Sequence, residues 1–277
     1  MRKYLLHLAY AVFLLVMILF VFVPYFTTDF FDLRQQKENE EIQKKLAQEE
    51  LLKKQAEQKI YLMGKFDPAQ REDFVLIPPA YAIVSNQMYL RKETFNAFRG
   101  MQIAAKKEGV DLKIASATRN FDYQKDLWNK KWNGYTLVDD KDLSKSLPDG
   151  AERFEKILEY SAAPGTSRHH WGTDIDINNA NIAYFETVYG KKVYAWLVNN
   201  APSFGFCQTY TLKDDLRTTG YNEEKWHWSF LPLSKTFTEE YKNLITNADI
   251  NGFEGEEYVV NFDLLNNYVL AINPDCF

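Results

Sequence analysis

The chain has 277 residues, of which 46% are hydrophobic and 16% aromatic, and its formal net charge is −5. This composition excludes an intrinsically disordered chain, the length allows one or two domains, and the acidic balance without a long basic block predicts no nucleic-acid partner. The two cysteines, Cys207 and Cys276, are too few for a disulfide-dense scaffold or a four-cysteine metal site.

An apolar segment opens the chain. Arg2 and Lys3 precede an uncharged run that extends to Asp29, counting His7 as neutral. Residues 4–23 match the ~20 residues of a membrane-spanning helix, and no small-residue cleavage site follows. We therefore expect residues 1–28 to be a transmembrane signal anchor, with a buried core helix as the alternative. The positive-inside rule then predicts a single-pass inner-membrane protein whose remaining chain is periplasmic.

A charged segment follows at residues 29–60. From residue 32 onward it lacks Gly and Pro and is rich in good helix formers. Its apolar stripe is thin and the heptads are not sustained. We expect a solvated helical linker, or stalk, rather than a coiled-coil dimer, and the oligomeric state stays open.

Residues 61–277 are expected to form one globular domain. Helical spacing predicts helices in "KETFNAFRGMQIAAKKEG", "FDYQKDLWNKKWNG" and "KKVYAWLVNNAPSFGF", the first ending at Gly109 and the second at Gly134. Alternation predicts strands in "VDLKIAS" and "GTDIDIN". Because helices and short strands mix without a regular βαβ rhythm, an α+β domain is favoured.

Histidines and carboxylates concentrate in two places. "SRHHWGTDIDI" (residues 167–177) holds two histidines and two aspartates, and "NEEKWHWSF" holds His227 after two glutamates. Two histidines and one carboxylate suit a zinc ion that keeps an open position for water, and a nearby glutamate could be the base. A lone histidine beside tryptophans is more often packed in a core, and paired aspartates on a strand face are usually solvated. The residue types alone leave the choice of histidine and aspartate open.

Three motifs in order carry a family resemblance. "SRHHWGTDID" fits Ser-x-His-x-x-Gly-x-x-x-Asp, "EKWHW" fits Glu-x-Trp-His, and "SATRNFDYQ" fits Ser-x-x-Arg-x-x-x-x-Gln. Over roughly residues 74–230 the chain resembles the VanY-type D-alanyl-D-alanine carboxypeptidases, zinc D,D-peptidases related to the hedgehog fold. The resemblance implies a small, mostly antiparallel sheet flanked by helices, here preceded by the transmembrane helix and the stalk.

The resemblance also implies a zinc site. It assigns His169, Asp176 and His227 as ligands of Zn²⁺ and leaves His170 and Asp174 as neighbours. Asp174 departs from the pattern, which often has a small residue such as alanine there. Its role as a partner of a ligand, or as a ligand itself, stays open.

Further roles follow from the resemblance. Glu224 corresponds to the base and Arg119 to the cation that grips substrate, and Ser116 and Gln124 help shape that pocket. Ser167 would orient the loop of His169 or contact substrate. The implied activity is removal of the C-terminal D-alanine from peptidoglycan stem peptides by a membrane-anchored zinc peptidase. The alternatives are an L,D-peptidase, a dipeptidase, an endopeptidase, or a non-catalytic zinc-containing wall-binding module.

Two local expectations can be tested against a structure. An extended segment before His227 would place Glu224 on the opposite face, so a bend near Lys225 is required. In an oxidising compartment we expect Cys207 and Cys276 to pair, with two buried free thiols as the alternative.

Overall fold

The computed structural model describes residues 1–84 and 86–277, apart from the side chains of residues 21–31. The chain divides into two compact units, residues 1–56 and 57–277. The expected boundary between the anchor and the linker, at residues 28 and 29, lies outside the residues whose side chains are described.

The N-terminal part of the chain is helical. Helix α1 (Arg2–Met17) continues through a π-helical turn (Ile18–Phe22) into helix α2 (Val23–Leu62). Over Arg2–Phe20 the mean hydropathy is 2.1 and no residue is buried, so by length and composition this helix could cross a membrane. A signal sequence at the start of a chain would meet the same description.

The second unit mixes helices with short strands. Its strands are β1 (Phe74–Leu76), β2 (Tyr89–Arg91), β3 (Ile114–Ser116), β4 (Asp174–Ile177), β5 (Phe206–Gln208) and β6 (His227–Phe230). Its helices are α3 (Lys92–Lys107), α4 (Phe121–Trp132), α5 (Leu143–Ser146), α6 (Gly150–Leu158), α7 (Ile182–Glu186), α8 (Val188–Asn200), α9 (Leu231–Leu244) and α10 (Val259–Phe262). The expected α+β class, with small antiparallel sheets among helices, is confirmed.

The larger sheet has four antiparallel strands in the order β3-β4-β6-β5. In its register Asp176 of β4 lies opposite His227 of β6 and, on the other side, opposite Ser116 of β3. Asp174 lies opposite Ser229. The centre of this sheet therefore brings the two sequence motifs together.

The core explains which way β4 faces. Ile175 and Ile177 are fully buried in a hydrophobic cluster with Phe98, Trp228 and other apolar side chains. Successive side chains of a strand alternate, so Asp174 and Asp176 point to the opposite face. Both are buried there, at 0% and 4% exposure, rather than solvated as aspartates on a strand usually are.

The predicted helices are present as α3, α4 and α8, and Gly109 follows α3 with a φ of +69°. The strand predicted in "VDLKIAS" is shorter than expected, because only Ile114–Ser116 joins the sheet. Side chains take the backbone groups before it: the amide of Asp111 donates to the hydroxyl of Tyr189, and the amide of Lys113 to Oδ1 of Asn178.

The two cysteines form a disulfide. Cys207 of β5 is joined to Cys276, 69 residues later and next to the last residue. The expected pairing is confirmed, and it fastens the C-terminal segment to the edge of the sheet.

Candidate metal centre

Three side chains converge at the centre of the sheet. The ligand atoms of His169, Asp176 and His227 lie within 4.8 Å of one another, and all three residues are buried. Oδ1 of Asp176 is 3.4 Å from Nε2 of His169 and 3.4 Å from Nδ1 of His227. The structure thus brings together the three residues that the motifs single out.

Local folding places each of them. Asp176 and His227 face each other across neighbouring strands, while His169 lies in a 3₁₀ turn, Arg168–Trp171, just before β4. Gly172 joins the turn to the strand with a φ of +70°, and a Cβ there would lie 2.4 Å from the ring of Phe74. The glycine of the motif is therefore required both by the backbone and by space.

Hydrogen bonds determine which ring nitrogen of each histidine faces the centre. Nδ1 of His169 lies 2.8 Å from the carbonyl oxygen of Ala117, so it carries the proton and leaves the lone pair on Nε2. Nε2 of His227 lies 3.0 Å from Oδ1 of Asp174, which leaves Nδ1 facing Asp176. Nε2 of His169 and Nδ1 of His227 therefore face the same point.

This arrangement fits a zinc ion. Among the described residues, neither Nε2 of His169 nor Oδ1 of Asp176 has a hydrogen-bond partner, which is unusual for buried polar atoms. Ligand atoms ~2.0–2.1 Å from a tetrahedral zinc ion lie about 3.4 Å apart. The two contacts of Oδ1 of Asp176 have this length, and the two histidine nitrogens lie within 4.8 Å of each other.

The electrostatics of the centre favour a bound cation. Burial lowers the pKa of His169, and the charge of Arg119 acts in the same direction, so this imidazole is neutral. Burial opposes ionisation of Asp176, but the two histidines hold its pKa well below the usual range. Burial would also lower the pKa of His227, yet the surrounding carboxylates, Asp174 foremost, raise it well above normal. A proton or a metal ion is therefore stabilised at this ring.

The second histidine of the pair has a different role. Nε2 of His170 accepts the backbone N–H of Gly165 at 3.1 Å, so Nδ1 carries the proton and donates to the carbonyl of Arg119 at 2.6 Å. Burial lowers the pKa of His170 to about 3 and keeps it neutral. His170 thus connects two loops of the site, and backbone groups occupy both of its ring nitrogens.

The two adjacent glutamates also separate. Oε2 of Glu224 is 3.4 Å from Nδ1 of His227, whereas Oε1 of Glu223 is 3.4 Å from the hydroxyl of Tyr194. The backbone N–H of His227 donates to the carbonyl of Glu224 at 3.2 Å, and this closes a turn across Lys225. The bend that the motif requires is present.

A small cavity opens onto the centre. Its walls include Arg119, Ser167, Tyr210, Tyr221 and Glu224 besides His169 and His227. A larger cavity of about 630 Å³ shares Glu224 and Tyr160 with it and contains Lys131 and Glu223. Glu224 therefore lines both the small cavity beside the candidate ligands and the larger cavity.

The remaining predicted residues differ in their surroundings. Arg119 lines the small cavity, and within the described chain its buried Nε has no hydrogen-bond partner. It also lines a third cavity of about 340 Å³ together with Ser116. Gln124, by contrast, lines none of these cavities, because its buried amide donates to the carbonyl of Ala162 at 2.7 Å. Gln124 thus holds Ala162, which lines the small cavity, in place.

Several lining residues carry no sequence signal. Tyr160, Tyr210 and Tyr221 come from loops distant in sequence, and Lys131 comes from α4. Burial lowers the pKa of Lys131 to about 8, and the charge of Arg119 acts in the same direction. None of these residues belongs to a motif, so the fold alone reveals them.

The chain matches known proteins over this region. The family model for VanY, D-alanyl-D-alanine carboxypeptidase, matches residues 87–233, which contain every candidate residue above. The chain is 31% identical over 179 residues to YodJ of Bacillus subtilis, which is named as a carboxypeptidase, covering 61% of this chain and 56% of that protein. It is 30% identical over 130 residues to a D-alanyl-D-alanine carboxypeptidase of Enterococcus faecalis, covering 47% of this chain and 44% of that protein. It thus spans about half the length of these curated relatives.

Solved structures show a partial likeness. The L,D-carboxypeptidase LdcB is 27% identical with a TM-score of 0.46, over 70% of this chain and 79% of that chain. The vancomycin-resistance D,D-pentapeptidase VanY, crystallised in complex with Zn(II), is 26% identical with a TM-score of 0.43, over 66% of this chain and 93% of that chain.

Proposed function

The chain belongs to the VanY family of D-alanyl-D-alanine carboxypeptidases, and on this premise we propose that it is a zinc peptidase that removes the C-terminal D-alanine from peptidoglycan stem peptides. The observation that carries the proposal is the buried group of His169, Asp176 and His227, with Glu224 3.4 Å from His227. A structural zinc site would be closed by four protein ligands and would need no base beside it.

Glu224 is the proposed acid–base group. Zinc held by His169, Asp176 and His227 would lower the pKa of a water molecule and polarise the scissile carbonyl. Glu224 would take the proton of the attacking water and later pass it to the departing amine of D-alanine. Its position between the metal ligands and the larger cavity supports this role.

Arg119 is the proposed anchor for the free carboxylate of the substrate. A carboxypeptidase must recognise the end of the chain, and a guanidinium binds a carboxylate through two parallel hydrogen bonds. The buried Nε of Arg119 has no partner among the described residues, and the side chain lines the small cavity. Ser116 and Ser167 line the cavities on either side of it and would shape this pocket, and Gln124 would hold its wall in place.

The N-terminal helix is the proposed membrane anchor. Residues 1–28 would hold the protein in the inner membrane, residues 29–60 would act as linker, and residues 61–277 would form the catalytic domain in the periplasm. The apolar helix with a mean hydropathy of 2.1 supports this, and so does the disulfide, which suits an oxidising compartment. A reporter fused after Phe277 that is active only in the cytoplasm would contradict this orientation.

A digest tests the proposed activity. The full chain, purified in detergent and loaded with zinc, would be incubated with pentapeptide muropeptides, and the products would be weighed by mass spectrometry. We expect the loss of a single alanine. Loss of a dipeptide or a cut cross-link would replace the proposal with one of the related peptidases, and zinc-loaded protein without any product would indicate a binding module.

A further inference from the structure

The candidate metal ligand His227 contacts a buried ion pair, formed by Asp174 and Arg168. Oδ1 of Asp174 lies 3.0 Å from Nε2 of His227 and 3.2 Å from Nε of Arg168. Oδ2 of the same carboxylate accepts the hydroxyl of Thr173 at 2.6 Å. The side chains of Asp174 and Arg168 are both fully buried.

Arg168 is held on every side by the protein. Its two terminal nitrogens donate to Oγ1 of Thr238 at 2.8 Å and to Oγ of Ser229 at 3.0 Å. Its guanidinium lies 4.6 Å from the centre of the ring of Trp171. The cation is thus fixed in one geometry, and it fixes Asp174 in turn.

Such a pair is a costly way to stabilise a fold. Moving two charges out of water costs hydration free energy, and their mutual attraction often does not compensate for it. Well-packed apolar residues of similar size often stabilise a fold equally well or better. Stability alone therefore does not explain why two charged residues occupy these buried positions. Asp174 has a further contact, with a candidate metal ligand, and that contact gives the pair a function.

The two histidine ligands are supported differently. His169 donates to a neutral carbonyl, that of Ala117, whereas His227 is bonded to a carboxylate. A carboxylate bonded to a metal-ligating imidazole fixes the ring and its tautomer and makes the ligating nitrogen a better donor.

We propose that Asp174, held in place by Arg168, is a positioning residue that keeps the proton of His227 on Nε2 and directs Nδ1 to the metal. This deepens the proposed function and rests on it, since it concerns the affinity of the same metal site. It also assigns a role to Asp174, which the sequence motifs leave open.

The test measures zinc affinity in the full chain, by competition with a chromophoric chelator. Asp174→Ala should weaken zinc binding about 10–100-fold, the usual effect of removing such a partner. Asp249→Ala is the matched control, because it removes an aspartate from another ion pair of this unit, with Lys59 at 2.8 Å, which does not contact the metal ligands. This control should bind zinc as the wild type does.

A double variant separates positioning from stability. Arg168→Met with Asp174→Ala removes both buried charges, so it should fold even where Asp174→Ala is too unstable to study. We expect its melting temperature without metal to recover relative to Asp174→Ala, while its zinc affinity stays low. Recovery of both quantities would show that the pair serves the fold alone and would overturn the proposal.

A second readout needs no metal. In ¹H–¹⁵N spectra of histidine-labelled protein, the Nε2 proton of His227 should be shifted downfield and protected from exchange in the wild type and in Asp249→Ala. It should be lost in both variants that lack Asp174. A spectrum unchanged by Asp174→Ala, or unchanged zinc affinity, would overturn the positioning role. Wild-type protein that shows the protected proton but binds no zinc would instead refute the proposed metallopeptidase.

Discussion

Oε2 of Glu224 lies 3.4 Å from Nδ1 of His227, whereas an extended segment would place these two side chains on opposite faces. The contact exists because the backbone turns across Lys225 and the N–H of His227 donates to the carbonyl of Glu224. The same turn directs Glu223 to Tyr194 instead. The carboxylates of Glu223 and Glu224 therefore contact different residues, and substituting one or the other should affect different properties of the protein.

Glu224→Gln is expected to keep the metal and lose most of the activity. The contribution of a positioned acid–base group predicts a fall in turnover of ~10²–10⁴. Glu223→Gln, the matched control, should keep both. Zinc content and D-alanine release measured on both variants decide this, and an inactive, metal-loaded Glu223→Gln would show that the roles of the two residues are reversed.

Substitution of the adjacent histidines should separate metal binding from stability. His169→Ala should lose zinc, because a site with three protein ligands has none to spare. His170→Ala should keep zinc but leave the N–H of Gly165 and the carbonyl of Arg119 without partners, at a cost of about 1–3 kcal/mol per buried group. Metal analysis and denaturant unfolding measure the two effects. If His170→Ala lost the metal while His169→Ala kept it, His170 and not His169 would be the metal ligand.

Much of this site follows from the sequence, and the exceptions have a physical cause. Alternation in "GTDIDIN" correctly places Asp174 and Asp176 on one face, but not their burial, which depends on Arg168, His169 and His227 covering that face. The choice of His169 over His170 depends on carbonyls some fifty residues away, those of Ala117 and Arg119.

Long-range contacts also explain the residues that the sequence does not reveal. Lys131 and the tyrosines of the cavities reach the site from elements that share no motif with it. The strand β3 is shorter than its pattern because Asn178 and Tyr189 bind the backbone before it. A local pattern carries no information about such distant partners.

Arg119→Ala should abolish the preference for a free C-terminus. If the guanidinium binds the terminal carboxylate, its removal should lower kcat/KM for the peptide acid roughly 10–100-fold, the value of a hydrogen bond to a charged group. We expect the wild type to cleave the corresponding C-terminal amide slowly, and Arg119→Ala should change that rate little. An equal fall in kcat/KM for the acid and the amide would show that Arg119 does not bind the terminal carboxylate.

The disulfide should contribute measurably to stability. Cys207 and Cys276 close a loop of 69 residues, and the chain-entropy model assigns such a cross-link about 4 kcal/mol. The double variant Cys207→Ser with Cys276→Ser should therefore unfold at lower denaturant concentration than the oxidised wild type. Thiol titration of the unreduced, denatured wild type should find no free thiol, and two reactive thiols would contradict the pairing.

The central claim is that the buried group of His169, Asp176 and His227 holds one zinc ion on which cleavage depends. The most direct measurement is to remove metal from the full chain with a chelator and to titrate zinc back while following D-alanine release from a pentapeptide. The account predicts an inactive metal-free protein whose activity is restored in proportion to added zinc up to one ion per chain, and an Asp176→Ala variant that zinc does not restore. D-alanine release that survives removal of the metal, or that zinc restores equally in Asp176→Ala, would contradict it.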